Sequence, residues 1–321
     1  MQFTLNLSDD EFNRVLEDID QKMVAQGIRI QAREIVGWTL FCEEQKLEGI
    51  DMQDPISQKV MEWFKARYGD RLTLNMSFGC SVVLVRGDIF RFRCPMFFGQ
   101  YHLICEPRFI GQKINPGPTQ PGVRNALDEL EGMTPAYAGS LTLQELKNIH
   151  IAVASAEVNL ARVGDAGDRP FIPESRADIR ESVEHMMRFD PQFGASKWAS
   201  LQAVEKFLKA YILQRGTQPK QIHDLSKLAR TAESLGLPAI DRATIGSVQC
   251  AASVRYESSS ATKEEAVQAH QSAIRLCADI GMEISGKSEY MTVVRSQGFL
   301  TLAGMTQKIR GILIDRGIPA P

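Results

Sequence analysis

The sequence predicts an α+β protein: a mixed N-terminal domain with a small antiparallel sheet, followed by an all-α helical bundle. Three observations predict it. The chain has 321 residues, more than one ordinary core at roughly 100–200 residues per domain. Between residues 72 and 109 the hydrophobic pattern shifts from helical to strand-like. From 174 to 286 everything is patterned as helix, and such segregation of strands from helices is the mark of the α+β class.

The elements follow in order. Ser8-Asp9-Asp10-Glu11 is a capping box, and Phe12, Val15, Leu16, Ile19 and Met23 then share one face up to Gly27. A second helix is expected over 31–46. A third starts at Asp54-Pro55, the aspartate as cap and the proline at the first helical position. Residues 72–109 are rich in aromatic and β-branched side chains, with Arg86-Gly87-Asp88 as a hairpin turn, and three or four antiparallel strands are expected. The proline- and glycine-rich "GQKINPGPTQPGV" is neither helix nor strand. A short helix is expected over 125–131, then a long one from the capping box of Thr142 and Glu145 to Gly164.

The polar, proline-bearing segment 164–174 is the expected boundary. It divides the chain into a mixed domain over 1–163, a bundle over 174–286 and a C-terminal extension over 287–321. Within the bundle, Trp198, Leu201, Val204, Leu208, Tyr211 and Ile212 form an apolar stripe, with Gln202, Glu205, Lys206 and Lys209 largely off it. Asp224 caps a helix over 225–235, another is expected over 238–256, and Thr262 to Glu265 opens the last one. The extension carries a further helix over 299–315.

Composition narrows the function. With 44% apolar and 24% charged residues the chain is of globular type, and its net charge of −2 offers no general attraction for nucleic acid or anionic membrane. Any such binding needs a local patch. No run approaches the roughly 18 apolar residues of a membrane span, and the first residues lack a secretory pattern, so a cytoplasmic location is expected. Six cysteines without a CxxC suit reduced, buried thiols. Cys80, Cys94, His102 and Cys105 can bind metal, but their spacing departs from the zinc motifs, and neither metal nor other cofactor is expected. Arg86, Arg91 and Arg93 alternate with Phe90 and Phe92, as in a sheet with one apolar face and solvated arginines on the other.

In the second half, Ala199 with Glu205-Lys206-Phe207-Leu208-Lys209-Ala210, a glycine-ended helix, His223-Asp224-Leu225, Arg255-Tyr256 and Glu264-Glu265-Ala266 follow one another in order. Over residues 174–286 this resembles the HEPN domain (higher eukaryote and prokaryote nucleotide-binding). The resemblance implies a helical bundle that commonly dimerises. It implies a role as an RNA-cleaving toxin or phage-defence effector, or as a non-catalytic nucleotide-binding partner. The ribonuclease members carry Arg-x4-6-His, usually in a late helix. Here Arg255 and His270 are too far apart and Arg275 has no histidine after it.

The literal match is Arg180 to His185, in the expected first helix of the bundle. Metal-independent cleavage by the 2′-hydroxyl needs a base, an acid and a cation, and arginine with histidine can supply them. Arg180 and His185 are therefore the candidate catalytic pair. His223, Arg255 and His270 are the candidate ligand-binding cluster. Asp224 itself reads as a cap, and His223 as the residue before it. The expected function is a non-catalytic nucleotide- or RNA-binding component of a defence or stress system, a homodimer through its bundle. A ribonuclease and a protein-interaction module, with the N-terminal domain meeting a protein partner, are the alternatives.

Overall fold

The computed structural model describes residues 7–47, 54–72, 77–96, 101–112, 122–255 and 261–286, and it divides into two compact units between residues 76 and 77. Among its described residues the first holds three α-helices, α1 (Asp9–Ala25), α2 (Arg33–Glu44) and α3 (Pro55–Tyr68). Ser8 and Glu11 close the expected capping box, and Asp54 accepts from the Ile56 amide ahead of Pro55. Phe12, Leu16, Ile19, Phe41 and Phe64 form the core. α2 approaches α3 so closely that a Cβ on Gly37 would stand 2.3 Å from the Phe64 ring, a contact only glycine permits. Buried Asp20 is the polar centre of this unit: the Tyr68 hydroxyl donates to it at 2.6 Å, and Arg67 lies 3.0 Å away.

The second unit begins with the hairpin of β1 (Ser77–Val85) and β2 (Asp88–Pro95). Val85 faces Asp88, so Arg86 and Gly87 are a two-residue turn, with φ of 50° and 87°. Positive φ at both positions is what strand twist asks of such a turn. The Arg86 guanidinium is held by Glu145 at 2.6 Å. This hairpin is the expected small antiparallel sheet; β3 (Tyr101–Ile104) does not extend it as the third antiparallel strand but pairs in parallel with β4 (Gly122–Asn125) in a separate two-stranded sheet. Parallel neighbours need a crossover of about a dozen residues or more, and the connection over 105–121 is long enough. Phe92 is buried and Arg93 exposed, as the alternation predicts, while Arg91 is taken by Glu131 at 2.7 Å and Glu184 at 3.4 Å.

Among the described residues seven α-helices follow: α4 (Pro135–Gly139), α5 (Leu143–Asp165), α6 (Ile172–Met186), α7 (Phe193–Gln214), α8 (Leu225–Ser234), α9 (Arg242–Val248) and α10 (Lys263–Ser285). One continuous core joins Val83 and Phe92 of the hairpin, Ile149 and Leu160 of α5, Phe207 of α7 and Ile274 of α10. The expected boundary at 164–174 therefore does not coincide with the division between units. It is a turn inside the second unit, where Ala166 and Ile172 are buried and Arg176 donates to the carbonyls of Gly164 and Gly167. An arginine satisfying exposed helix-end carbonyls turns a polar stretch into a fixed corner.

The expected helix over 238–256 is broken. Asp241 caps α9, and after Val248 the chain extends at Gln249, whose side chain accepts from the Leu225 amide and donates to the His223 carbonyl. Those bonds tie Gln249 to the start of α8 at the cost of helical continuity. Thr262 caps α10 through the Glu265 amide, but Glu265 turns to Lys197 and does not complete the box. The expected helix over 299–315 lies outside the described residues. Among these residues no helix is long and apolar enough to cross a membrane, and no cluster of His, Cys, Asp and Glu is placed to hold a metal ion. Cys94 and Cys105 are buried, and burial pushes the Cys105 thiol up to about 12.

Candidate functional site

Helix α7 packs against α6, α8 and α10. A helix so enclosed buries more than one stripe, and this corrects the expectation that Glu205 and Lys209 lie off the buried surface: they are 3% and 5% exposed. Trp198, Gln202, Glu205 and Lys209 recur at intervals of four, three and four residues, which aligns them along one side of the helix. The segment leading into α8 runs against that side. Lys209 Nζ lies 2.6 Å from Glu205 Oε1 and 3.4 Å from Gln221 Oε1. Gln202 Nε2 donates to Glu205 Oε2 at 3.1 Å, and His223 Nδ1 lies 2.7 Å from that same oxygen. The Trp198 ring meets the imidazole edge-on, with centroids 5.2 Å apart.

This arrangement fixes the histidine. An ionised carboxylate offers only lone pairs, so Nδ1 carries the proton it donates to Glu205, and Nε2 has no partner among the described residues. The His223 side chain is 57% exposed, although its anchor is buried. Asp224 next to it is the cap it was read to be: its carboxylate accepts from the Lys227 amide at 3.0 Å, and this bond holds its pKa below the usual range. Lys220, Lys227 and Arg230 are all exposed on this segment and the first turns of α8. Against the single carboxylate of Asp224, which Lys227 meets at 3.1 Å, they give this stretch a local excess of positive charge on a chain whose net charge is −2.

A half-buried pair lies between α6 and α7, where Lys206 Nζ is 2.6 Å from Asp178 Oδ2. Burial pushes the Asp178 carboxyl up to about 6, against the opposing pull of Lys206. The unfolded chain gives up this proton first as pH rises, so the contribution of Asp178 to stability is lost between about pH 4 and pH 6. Asparagine cannot ionise. The stability of Asp178→Asn relative to the parent is expected to rise by up to about 2 kcal/mol from pH 4 to pH 7. Urea unfolding at the two pH values reads this, and an unchanged difference would refute it.

The other sequence-derived candidates are placed differently. Arg180 is exposed on α6 with no ion pair among the described residues, while His185 is half-buried with Nε2 3.4 Å from Glu181. Five positions turn a helix by about 140°, so Arg180 and His185 point apart. His270 is 1% exposed, with Nε2 3.2 Å from Ser81 Oγ and Nδ1 2.5 Å from Ser182 Oγ. Its contacts are with β1 and α6, whereas those of His223 are with α7, so the structure does not bring the two together. Arg255 closes a 3-10 turn, Ala252–Arg255, that packs against α7. Glu205, the residue that positions His223, was missed as a site residue; the spacing of 198, 202, 205 and 209 was the signal that could have found it.

A family model described as the HEPN domain matches residues 191–282. No curated protein and no solved structure matches the chain. The match begins after Arg180 and His185, later than the expected start at 174, and it contains Glu205, Lys209, His223 and His270. With the helices in place and the motif residues on α7 and at the start of α8, the C-terminal half of this protein carries a HEPN domain.

Proposed function

We propose that the HEPN domain binds a phosphate-bearing nucleotide ligand, either a free nucleotide or RNA, at the face around His223, and that it does so without cleaving it. The observation that carries this is an exposed imidazole fixed through Nδ1 on a buried carboxylate, beside the basic patch of Lys220, Lys227 and Arg230. Phosphate oxygens accept from the lysine and arginine donors and, when Nε2 carries a second proton, from the imidazolium as well, and a ring already held in place loses little freedom on binding. Cleavage needs base, acid and cation together. Arg180 and His185 diverge, and His270 is enclosed, which favours binding over chemistry. The homodimer and the place in defence or stress rest on the family resemblance, which is what supports them.

One observation favours a second reading. A carboxylate that orients an imidazole is also how a general base is prepared, so His223 with Arg255 is the alternative catalytic pair. Both readings are tested in EDTA with a fluorescent single-stranded RNA and fluorescent ATP, by anisotropy and then a denaturing gel. The expected result is retention with intact RNA, weakened about tenfold or more in His223→Ala, since a hydrogen bond to a charged group is worth about 1.5–3 kcal/mol. Absence of retention, or retention untouched by the substitution, overturns the proposal. Cleavage that His223→Ala abolishes establishes the ribonuclease in its place.

A further inference from the structure

The second unit holds a groove of about 320 Å³ between β1, α5 and α10. That is the lower end of the range of small-molecule sites, about 300–1,000 Å³. Its polar groups are Ser81, Asn148, Ser155, Asn159 and Gln271, and no charged side chain lines it. We propose that this groove is a ligand site for an uncharged molecule with an amide-like hydrogen-bonding edge, the chemistry of a nucleobase. The proposal stands independently of the His223 reading.

Charge decides the class first. A phosphate or carboxylate entering the groove would lose hydration with no counter-charge to replace it. A neutral ligand meets no such cost. The hydrogen-bonding state of the amides then narrows the choice. Asn148 Oδ1 already accepts from Gln144 at 2.9 Å, which leaves its Nδ2 to donate. Gln271 Nε2 already donates to the Val82 carbonyl at 3.0 Å, which leaves its Oε1 to accept. A donor stands on the α5 wall and an acceptor on the α10 wall. The side chains of Asn159 and Ser155, also on α5, make no hydrogen bond among the described residues. A lactam edge, with a carbonyl beside an N–H, answers such a set.

The apolar part suits a flat ring. Ala152 and Ala156 sit one turn apart on α5 and leave space against the helix, with Val267 and Ile274 across from them. Ile151 is 59% exposed among the groove residues, and a ring laid against it would cover apolar surface now facing water. The residues from Ser81 to Asn159 lie outside the span of the HEPN match, so this groove belongs to the whole unit.

The same edge occurs on a free nucleoside and on an unstacked base of a single strand. The test separates them by titrating protein with labelled isoleucine methyl groups with uridine and inosine, which both carry the lactam edge, their 5′-monophosphates, and a short uridine-containing single-stranded RNA. The expected result is saturable shifts of the Ile151 and Ile274 signals at millimolar nucleoside, weaker with the monophosphates. Shifts from the RNA as well would identify a strand base as the source. Exposed Ser155→Trp fills the groove and is expected to abolish the shifts, Asn159→Leu to weaken them about fivefold or more through the lost hydrogen bond, and His223→Ala to leave them unchanged. Thermal unfolding checks that each variant is folded. Absence of shifts in the parent, shifts that survive both groove substitutions, or tighter binding of the monophosphates overturns the proposal.

Discussion

Lowering the pH from 7 to 4 is expected to remove about 3 kcal/mol of stability through His270 alone. Its ring is fully enclosed, with hydrogen bonds to Ser81 and Ser182, and burial drops its pKa to about 3. In the unfolded chain the imidazole charges near pH 6.5. Between those values the unfolded state binds a proton that the folded state refuses, so stability falls as the pH falls. Asp178 acts in the opposite direction over part of this range, and the raw acid transition therefore mixes the two. The contribution of His270 is isolated by comparing the parent with His270→Gln, whose amide keeps a polar contact but cannot titrate. Urea unfolding at pH 7, 5 and 4 is expected to show a shallower slope in the variant. Parallel slopes would mean that His270 takes up its proton without opening the fold.

Glu205→Ala is expected to cost about 3–5 kcal/mol, because it leaves the buried Lys209 ammonium without its anion. Lys209 is 5% exposed, and its other polar contact, Gln221, is neutral and 3.4 Å away. Removing both charges is a different operation. Glu205→Leu with Lys209→Met retains volume and leaves no stranded ion, so the double variant is expected to recover most of the loss. Chemical unfolding of the single and double variants measures the coupling. A single variant within about 1 kcal/mol of the parent would show that Lys209 reaches water unaided. The double variant should remain folded yet lose the anchor of His223, which separates stability from ligand binding.

What was legible in the sequence is what is decided locally. Ser8 with Glu11, Thr142 with Glu145, Asp54 before Pro55 and Asp224 before Leu225 cap the helices they announce, since a cap needs only its own first turn. The Arg86-Gly87 turn is equally local. The parallel pairing of β3 with β4 depends on a partner far along the chain, and alternation alone is the same for both directions. The break after α9 depends on where the Gln249 amide goes, and the corner at 164–174 on which carbonyls Arg176 reaches. Glu205 and Lys209 form an i, i+4 pair that reads the same on a solvated face as in a core; only the crowding of α7 by its neighbours decides. His223 came from the family resemblance, and its anchor came from packing. Arg180 and His185 satisfied a spacing rule, while helical geometry sends them apart.

The hydrogen bond between Ser81 and His270 joins residues 189 positions apart, and it closes β1 against α10. During synthesis at about 5–20 residues per second, the strand is made roughly 10–40 s before its partner helix exists. Val82, which shares a buried cluster with Ala266 and Val267 of α10, has no final cover in that interval. The three helices of the first unit draw their core from residues 12–72 and face no such delay. On the ribosome the small bundle is therefore finished while the larger unit is still incomplete, and nascent-chain chaperones have most to protect in the interval before α10 emerges.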